Sequence, residues 1–214
     1  MPRLGVLGGT FNPIHFGHLL VADEICEILE LDRVLLVPAS VPPHKPPAEL
    51  APAADRFAMT ALAAREHPRF EVSDVELRRR GPSYTVDTLE ALGARGDLFL
   101  IIGSETFLDL LAWKDPRGVA AWARLVVVPR SGSGFDPDAP ASQKVLRELG
   151  LEGFVRPGAA GGSPRAPVLV AAASLPISGS ELRCRAREGR SLAFRMPAPV
   201  AAYIREHGLY RQEA

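Results

Sequence analysis

Two cysteines in 214 residues, Cys26 and Cys184, stand far apart with no CxxC pair. This excludes a disulfide scaffold and suits a reducing cytosol. No apolar run approaches membrane-spanning length, and the first apolar stretch, Leu4–Leu7, is not preceded by the hydrophobic region of a signal peptide. A soluble, cytoplasmic protein without a membrane partner is expected. Net charge is also missing, because 25 basic residues balance 25 acidic ones. That argues against a nucleic-acid partner held by global charge, although local basic clusters stay open. Lysine is scarce: Lys45, Lys114 and Lys144 are the only three. What the chain does have is length enough for one large or two small domains with a proper core.

Apolar, β-branched runs alternate with amphipathic stretches. Strands are expected over Leu4–Leu7, Val34–Val37, Phe70–Val72, Leu98–Ile102, Leu125–Val128 and Val168–Ala171. Helices are expected over Gly17–Glu30, Ala54–Glu66, Thr85–Ala94, Ser104–Leu111, Ser142–Leu149, Gly179–Glu188 and Pro199–Glu206. This alternation predicts an α/β, doubly wound open parallel sheet, Rossmann-like, with ligands beyond the carboxyl ends of the strands. Residues 1–176 are expected to form a nucleotide-binding core, and 177–214 a small helical segment packed on it as part of one globular unit. Three stretches interrupt the alternation. Ser131–Ala141 and Pro157–Pro167, rich in Gly, Pro, Ser and Ala, are expected as mobile surface loops. Ala39–Pro52 holds His44 and Lys45 after the second strand; it is either a plain connection or a loop able to close over a substrate.

The richest segment is Gly8-Gly9-Thr10-Phe11-Asn12-Pro13-Ile14-His15-Phe16-Gly17-His18, directly after the first strand. Gly8 and Gly9 let backbone approach a ligand, Asn12-Pro13 bends the chain, and His15 and His18 sit at a helix mouth that favours anions. Neither the G-x-G-x-x-G fingerprint nor the G-x-x-x-x-G-K-[ST] loop is present. Two histidines alone could form half a zinc site, but no cysteine lies nearby and HExxH is absent, so no resident metal is expected. Elsewhere, Ser178 with Glu181 three residues on reads as a capping box, leaving Ser180 and Arg183 over. Ser83-Tyr84-Thr85 reads as a helix start, and Trp113 and Trp122 as packing residues.

The opening segment resembles the signature of the H-x-G-H nucleotidyltransferases, and most of all the bacterial nicotinate-nucleotide adenylyltransferases. The likeness runs nearly the whole chain: Pro42-Pro43-His44-Lys45, Ser83–Leu89, Ile101-Ile102-Gly103-Ser104-Glu105 with Trp113 following, Ile177–Arg183 and Val200–Ile204. It implies transfer of AMP from ATP to nicotinate mononucleotide, giving nicotinate adenine dinucleotide and pyrophosphate on the route to NAD. It implies His15 and His18 as the catalytic pair. Gly8, Gly9, Thr10, His18, Gly103, Glu105, Ile177, Ser178, Ser180 and Arg183 would meet ATP. Thr10, Phe11, Asn12, His15, Lys45, Tyr84, Thr85 and Trp113 would meet the mononucleotide, with Trp113 on the pyridine ring and the Tyr84–Thr85 turn on the carboxylate.

The chain departs from that pattern in places: Asn12 and Glu105 stand where Asp is commoner, and Gly179-Ser180 where Ser-Thr is, so that the hydroxyl survives at Ser180. Mg²⁺ is expected to arrive on the ATP phosphates rather than in a carboxylate cage. The alternatives are a related transferase acting on nicotinamide mononucleotide, phosphopantetheine or glycerol phosphate, a silent nucleotide sensor, and an aminoacyl-tRNA synthetase fragment. The sensor would be expected to have lost His15, His18 or the Ser180/Arg183 pair. The fragment would need a tRNA-sized second domain or a basic tract. Homo-oligomerisation is left open.

Overall fold

Strands whose successive residues are all buried must be covered on both faces, because neighbouring side chains point to opposite sides of a sheet. Val34–Pro38 and Leu98–Ile102 meet that condition. The computed structural model describes residues 1–46, 49–130, 132–158 and 163–211. Along the chain run β1 (Arg3–Gly9), α1 (Phe16–Ile28), β2 (Arg33–Pro38), α2 (Ala53–Ala64), β3 (Phe70–Val72), α3 (Val75–Arg78) and α4 (Thr85–Leu92). These are followed by β4 (Asp97–Gly103), α5 (Ser104–Leu108), α6 (Pro116–Trp122), β5 (Ala123–Val128), α7 (Pro140–Leu149), β6 (Val168–Leu169), α8 (Gly179–Arg187) and α9 (Ala198–Glu206). The strands form one open sheet in the order β3-β2-β1-β4-β5-β6. Its registered pairs are parallel: Arg3 opposes Asp97, Leu98 opposes Ala123, and Val126 opposes Val168. The order reverses at β1 and β4, the kind of switch point at which such sheets bind ligands.

Two compact units are interleaved along the chain. The first comprises Met1–Leu7, Ala22–Val34 and Tyr84–Ser174; the second comprises Gly8–Val21, Leu35–Ser83 and Leu175–Ala214. The described part of 177–214 therefore clusters with Gly8–Val21 and Leu35–Ser83.

In the first unit Gly5 lets β1 and its neighbours close up, since a Cβ there would lie 2.9 Å from Leu31 Cδ1 and 3.1 Å from Val34 Cγ2. Helix α7 buries Ser142, Val145, Leu146 and Leu149, a stripe at helical spacing. It begins at Pro140 and stops at Gly150, whose φ of 64° provides the left-handed exit. In the second unit α2 buries Arg56, Met59, Thr60 and Ala63, and the Tyr203 hydroxyl of α9 donates to Asp55 Oδ1 at 2.8 Å.

The expected elements recur with edges moved by a few residues, and several expectations need correction. Helices α3 and α6 are additions. The first has four residues, too few to show a period, and the second starts at Asp115-Pro116, where the Asp115 carboxylate accepts from Gly118 N at 3.0 Å. The expected helix Ser104–Leu111 ends at Leu108, and a 3-10 turn at Leu110–Ala112 follows. The last strand stops at Leu169 rather than Ala171. Trp122 is not core: it remains 43% exposed. The stretch 131–141 is fixed where described, because Phe135 packs edge-on against Phe107 and Phe154. Within 157–167, Ala166 is 2% exposed. Ser131 and residues 159–162 lie outside the described residues.

Candidate active site

In the second unit β1 ends on Gly8 and Gly9. A Cβ on Gly8 would meet nothing within 4 Å, so this strand end faces open space. A Cβ on Gly9 would lie 2.9 Å from the Phe11 ring. Phe11 takes a φ of 45° and buries its side chain to 2% exposure, so its ring supports the loop from below. Against it, edge-on at 5.1 Å, stands the His18 imidazole. The His15 ring stacks on His18 with centroids 3.8 Å apart and planes at 28°. Gly17 makes room for this pair: a Cβ there would come within 3.0 Å of His15 Nδ1.

His15 is 6% exposed, and among the described residues its Nδ1 has no hydrogen-bond partner. Burial lowers its pKa to about 4. At neutral pH the ring is therefore uncharged, and it can offer a neutral N–H donor while tolerating the stacked imidazole.

Three cationic side chains of the same unit act on one another. Lys45 is accessible, yet its ammonium sits below the usual lysine pKa, first through partial desolvation and then through repulsion from Arg183 and Arg56. Arg183 donates to the Asn12 carbonyl at 3.1 Å and to Ser180 Oγ at 3.3 Å, so the two residues left over by capping meet in the first turn of α8. Ser178 caps that helix, accepting from Glu181 N at 3.2 Å, as expected. Gly179 sits close to the same loop, where a Cβ would lie 3.1 Å from Asn12 O. Ile177, just before the cap, is half-buried and donates its N–H to Leu175 O at 2.8 Å.

Asn12 is used as a knot. Its Oδ1 accepts from Ala51 N at 3.0 Å and from the Tyr210 hydroxyl at 2.9 Å, while Nδ2 donates to Glu49 O at 2.8 Å. A carboxylate could not supply that donor, which accounts for an amide at this position. Burial holds the Tyr210 hydroxyl well above the ordinary tyrosine pKa, so it stays a donor.

The first unit holds the remaining candidates. Tyr84 precedes α4 and Thr85 opens it, with no side-chain cap. Ser83, the first residue of the expected helix start, does other work: its Oγ, in the second unit, accepts from Ser40 N at 2.9 Å and Val41 N at 3.2 Å. Lys114 Nζ lies 4.8 Å from the Tyr84 ring centroid and bonds both Asp87 carboxylate oxygens, at 2.9 and 3.0 Å. Trp113 follows the Leu110–Ala112 turn in extended conformation, half-buried. Gly103 ends β4, and a Cβ on it would have only Thr106 Oγ1 within 4 Å. Ser104 Oγ is buried with no partner among the described residues, whereas Glu105 is exposed, 3.5 Å from Arg130.

Residues 6–185 match the cytidylyltransferase-like family. The chain belongs to that family. The chain is 43% identical to a Thermus thermophilus protein over 212 residues, covering 98% of this chain and all of that one. It is 40% identical to a Roseiflexus protein over 210 residues, covering 97% and 98%. Both are named “probable nicotinate-nucleotide adenylyltransferase”. In fold it is similar to the Plasmodium falciparum nicotinic acid mononucleotide adenylyltransferase complexed with NaAD. That match has a TM-score of 0.72 at 16% identity, covering 98% of each chain.

For a cytidylyltransferase-like chain the residue that sequence inspection missed is Arg56. It is 1% exposed and gives Nε to Ala51 O at 3.0 Å, Nη2 to Ser40 O at 3.0 Å, and Nη1 to the carbonyls of Thr10 (2.8 Å) and Ala39. One guanidinium thus ties the Thr10 turn to the 39–51 loop. The signal was available: positions 56, 59, 60 and 63 share one helical face, and an arginine among Met, Thr and Ala there must be buried with partners.

Proposed function

We propose that this protein transfers AMP from ATP to nicotinate mononucleotide, forming nicotinate adenine dinucleotide and pyrophosphate in cytoplasmic NAD biosynthesis. The observation that carries this is the stacked His15–His18 pair at the glycine end of β1, in the loop whose Asn12 carbonyl accepts from Arg183. The nucleophile is a phosphate oxygen, already anionic, so the transfer needs no general base and no covalent intermediate. It needs in-line alignment and donors for charge building on the α-phosphoryl and departing oxygens. His15, uncharged at neutral pH, supplies an N–H donor to phosphate, and His18 takes the neighbouring oxygens. Thr10 adds hydroxyl and main-chain contacts, while Ser180, Arg183 and Lys45 balance the departing pyrophosphate.

Gly8, Gly9, Gly103, Glu105, Ile177 and Ser178 complete the ATP subsite, with Glu105 or the Ser104 hydroxyl available to a ribose. Phe11 and Asn12 act on the mononucleotide through the loop they shape. Trp113 takes the pyridine ring, and the N–H groups at the start of α4, Tyr84 to Thr85, take the carboxylate. Among the described residues no three His, Cys, Asp or Glu side chains cluster to hold a metal ion. Mg²⁺ would arrive on the triphosphate, where it would neutralise phosphate charge.

The test is pyrophosphate release from ATP with each acceptor in turn. N–H donors welcome a carboxylate and leave an amide NH₂ opposed to other donors. kcat/KM should therefore be higher with nicotinate mononucleotide than with nicotinamide mononucleotide; equal values would defeat the assignment.

A further inference from the structure

At the amino ends of β4 and β5, at the other end of β4 from Gly103 and about 20 Å away, the first unit contains a second concavity. Its volume is about 800 Å³, within the range of small-molecule sites. Its walls carry Trp122, Arg117, Arg124 and Arg165, together with Gly93 and one carboxylate, Asp97. Trp122 is 43% exposed, and its benzo ring lies against the Gly93 backbone, where a Cβ would come within 2.7 Å of Cζ3. The indole is thus backed on one side and partly open to solvent.

Two of the three arginines are anchored, and among the described residues none of the three is paired with a carboxylate. Arg117 donates through Nε to Glu148 O at 2.9 Å, and Arg124 through Nε to Ala166 O at 3.0 Å. The terminal nitrogens of both, and the whole guanidinium of Arg165, have no protein partner among the described residues, and none of the three forms an ion pair. Arg124 is held below the usual arginine pKa, first by burial and then by the charge of Arg3. Arg3 in turn rests 5.1 Å over the ring of Phe99, another wall residue. Solvated surface arginines usually find a carboxylate or wave free. Anchored ones, turned around a concavity beside an open indole, match a ligand with several negative charges and a flat aromatic ring.

We infer that this groove binds a nucleoside polyphosphate, with Trp122 stacked on the base and Arg117, Arg124 and Arg165 around the phosphates. It is a second nucleotide site, separate in the fold from the one assigned to adenylyl transfer.

The chain has two tryptophans, so Trp113→Phe leaves Trp122 as the sole indole reporter. Titration of that variant with ADP should quench its emission along a saturable curve. Tripolyphosphate, which has the charge but no base, should displace ADP while leaving emission nearly unchanged on its own. Adding Arg117→Glu and Arg165→Glu should raise the half-saturating ADP concentration at least about tenfold, as expected for lost charge-assisted contacts. Arg165→Ala, a milder change at an exposed side chain, should shift the midpoint the same way by less. In the otherwise unaltered chain the two charge reversals should leave kcat for pyrophosphate release unchanged. A non-saturating titration, or a midpoint insensitive to the arginine changes, overturns the inference. So does a dimer by sedimentation that shields Trp122 from ADP. None of these results depends on which acceptor nucleotide the protein uses.

Discussion

His18 and His15 share a stack but carry different burdens. In the proposed role, removing the more accessible imidazole, His18→Ala, would take away a donor for charge that develops during transfer. The expected loss in kcat is about 100- to 1,000-fold, by analogy with removal of one oxyanion donor. Steady-state pyrophosphate release checks it, and turnover within a few-fold of the unaltered protein would refute the role. His15 links the site to stability. Its pKa of about 4 lies below the ordinary histidine value of 6.5, so the unfolded chain binds a proton over that window and the folded chain does not. Its contribution is complete above pH 6.5 and is lost as pH falls towards 4. Between pH 7.5 and 5 this amounts to about 2 kcal/mol. Urea denaturation at the two pH values should show that loss, and His15→Asn should shrink it. Arg56 is the third decisive residue. Arg56→Met would strand four main-chain acceptors and cost about 3 kcal/mol or more, read as a lower urea midpoint. Arg56→Lys should recover little of it, since an ammonium cannot reproduce the guanidinium fork.

Among the elements, helix starts do most of the positioning, each through different chemistry. Helix α8 has a side-chain cap from Ser178, α6 one from Asp115, and α4 none. Ser178→Ala should lower stability by about 1 kcal/mol and loosen the turn that brings Ser180 to Arg183. Thermal melts together with KM for ATP would register both effects. The start of α8 was legible in sequence, because a serine three residues before a glutamate has few other uses, whereas that of α6 was not expected although Asp115-Pro116 marks it. Other elements were not legible. The four-residue α3 carries no period, and the break after Leu108 depends on packing rather than on any Gly or Pro. Ser83 had a second opportunity, since its oxygen could cap α4 or hold the backbone of Ser40 and Val41; only the folded loop decides for the latter. Trp122 followed from a general rule that aromatic residues are buried, and Gly93 beside it was no warning. Asn12 belongs here as well. Substitutions from Asp are easily taken as neutral, but its Nδ2 donates to Glu49 O and its Oδ1 holds Tyr210.

At the scale of the whole molecule, alternation of apolar runs with helical stripes was sufficient to predict the open parallel sheet, and β1 and β4 lie at its reversal. What sequence order conceals is interleaving. The chain passes from one compact unit to the other at Leu7, Val21, Val34, Ser83 and Ser174, a division no linker composition announces. The phosphate candidates Thr10, His15, His18, Lys45, Ser180 and Arg183 all fall in the second unit, and Tyr84, Thr85, Gly103, Glu105 and Trp113 in the first. The central claim concerns the second unit: its cations and stacked imidazoles grip triphosphate. A crystal structure with a non-hydrolysable ATP analogue tests that most directly. The account predicts phosphate oxygens within hydrogen-bond distance of His18 and of the Arg183 guanidinium, at the starts of α1 and α8. An analogue bound with its phosphates away from both side chains, and with the two imidazoles still packed as they are without ligand, would contradict it.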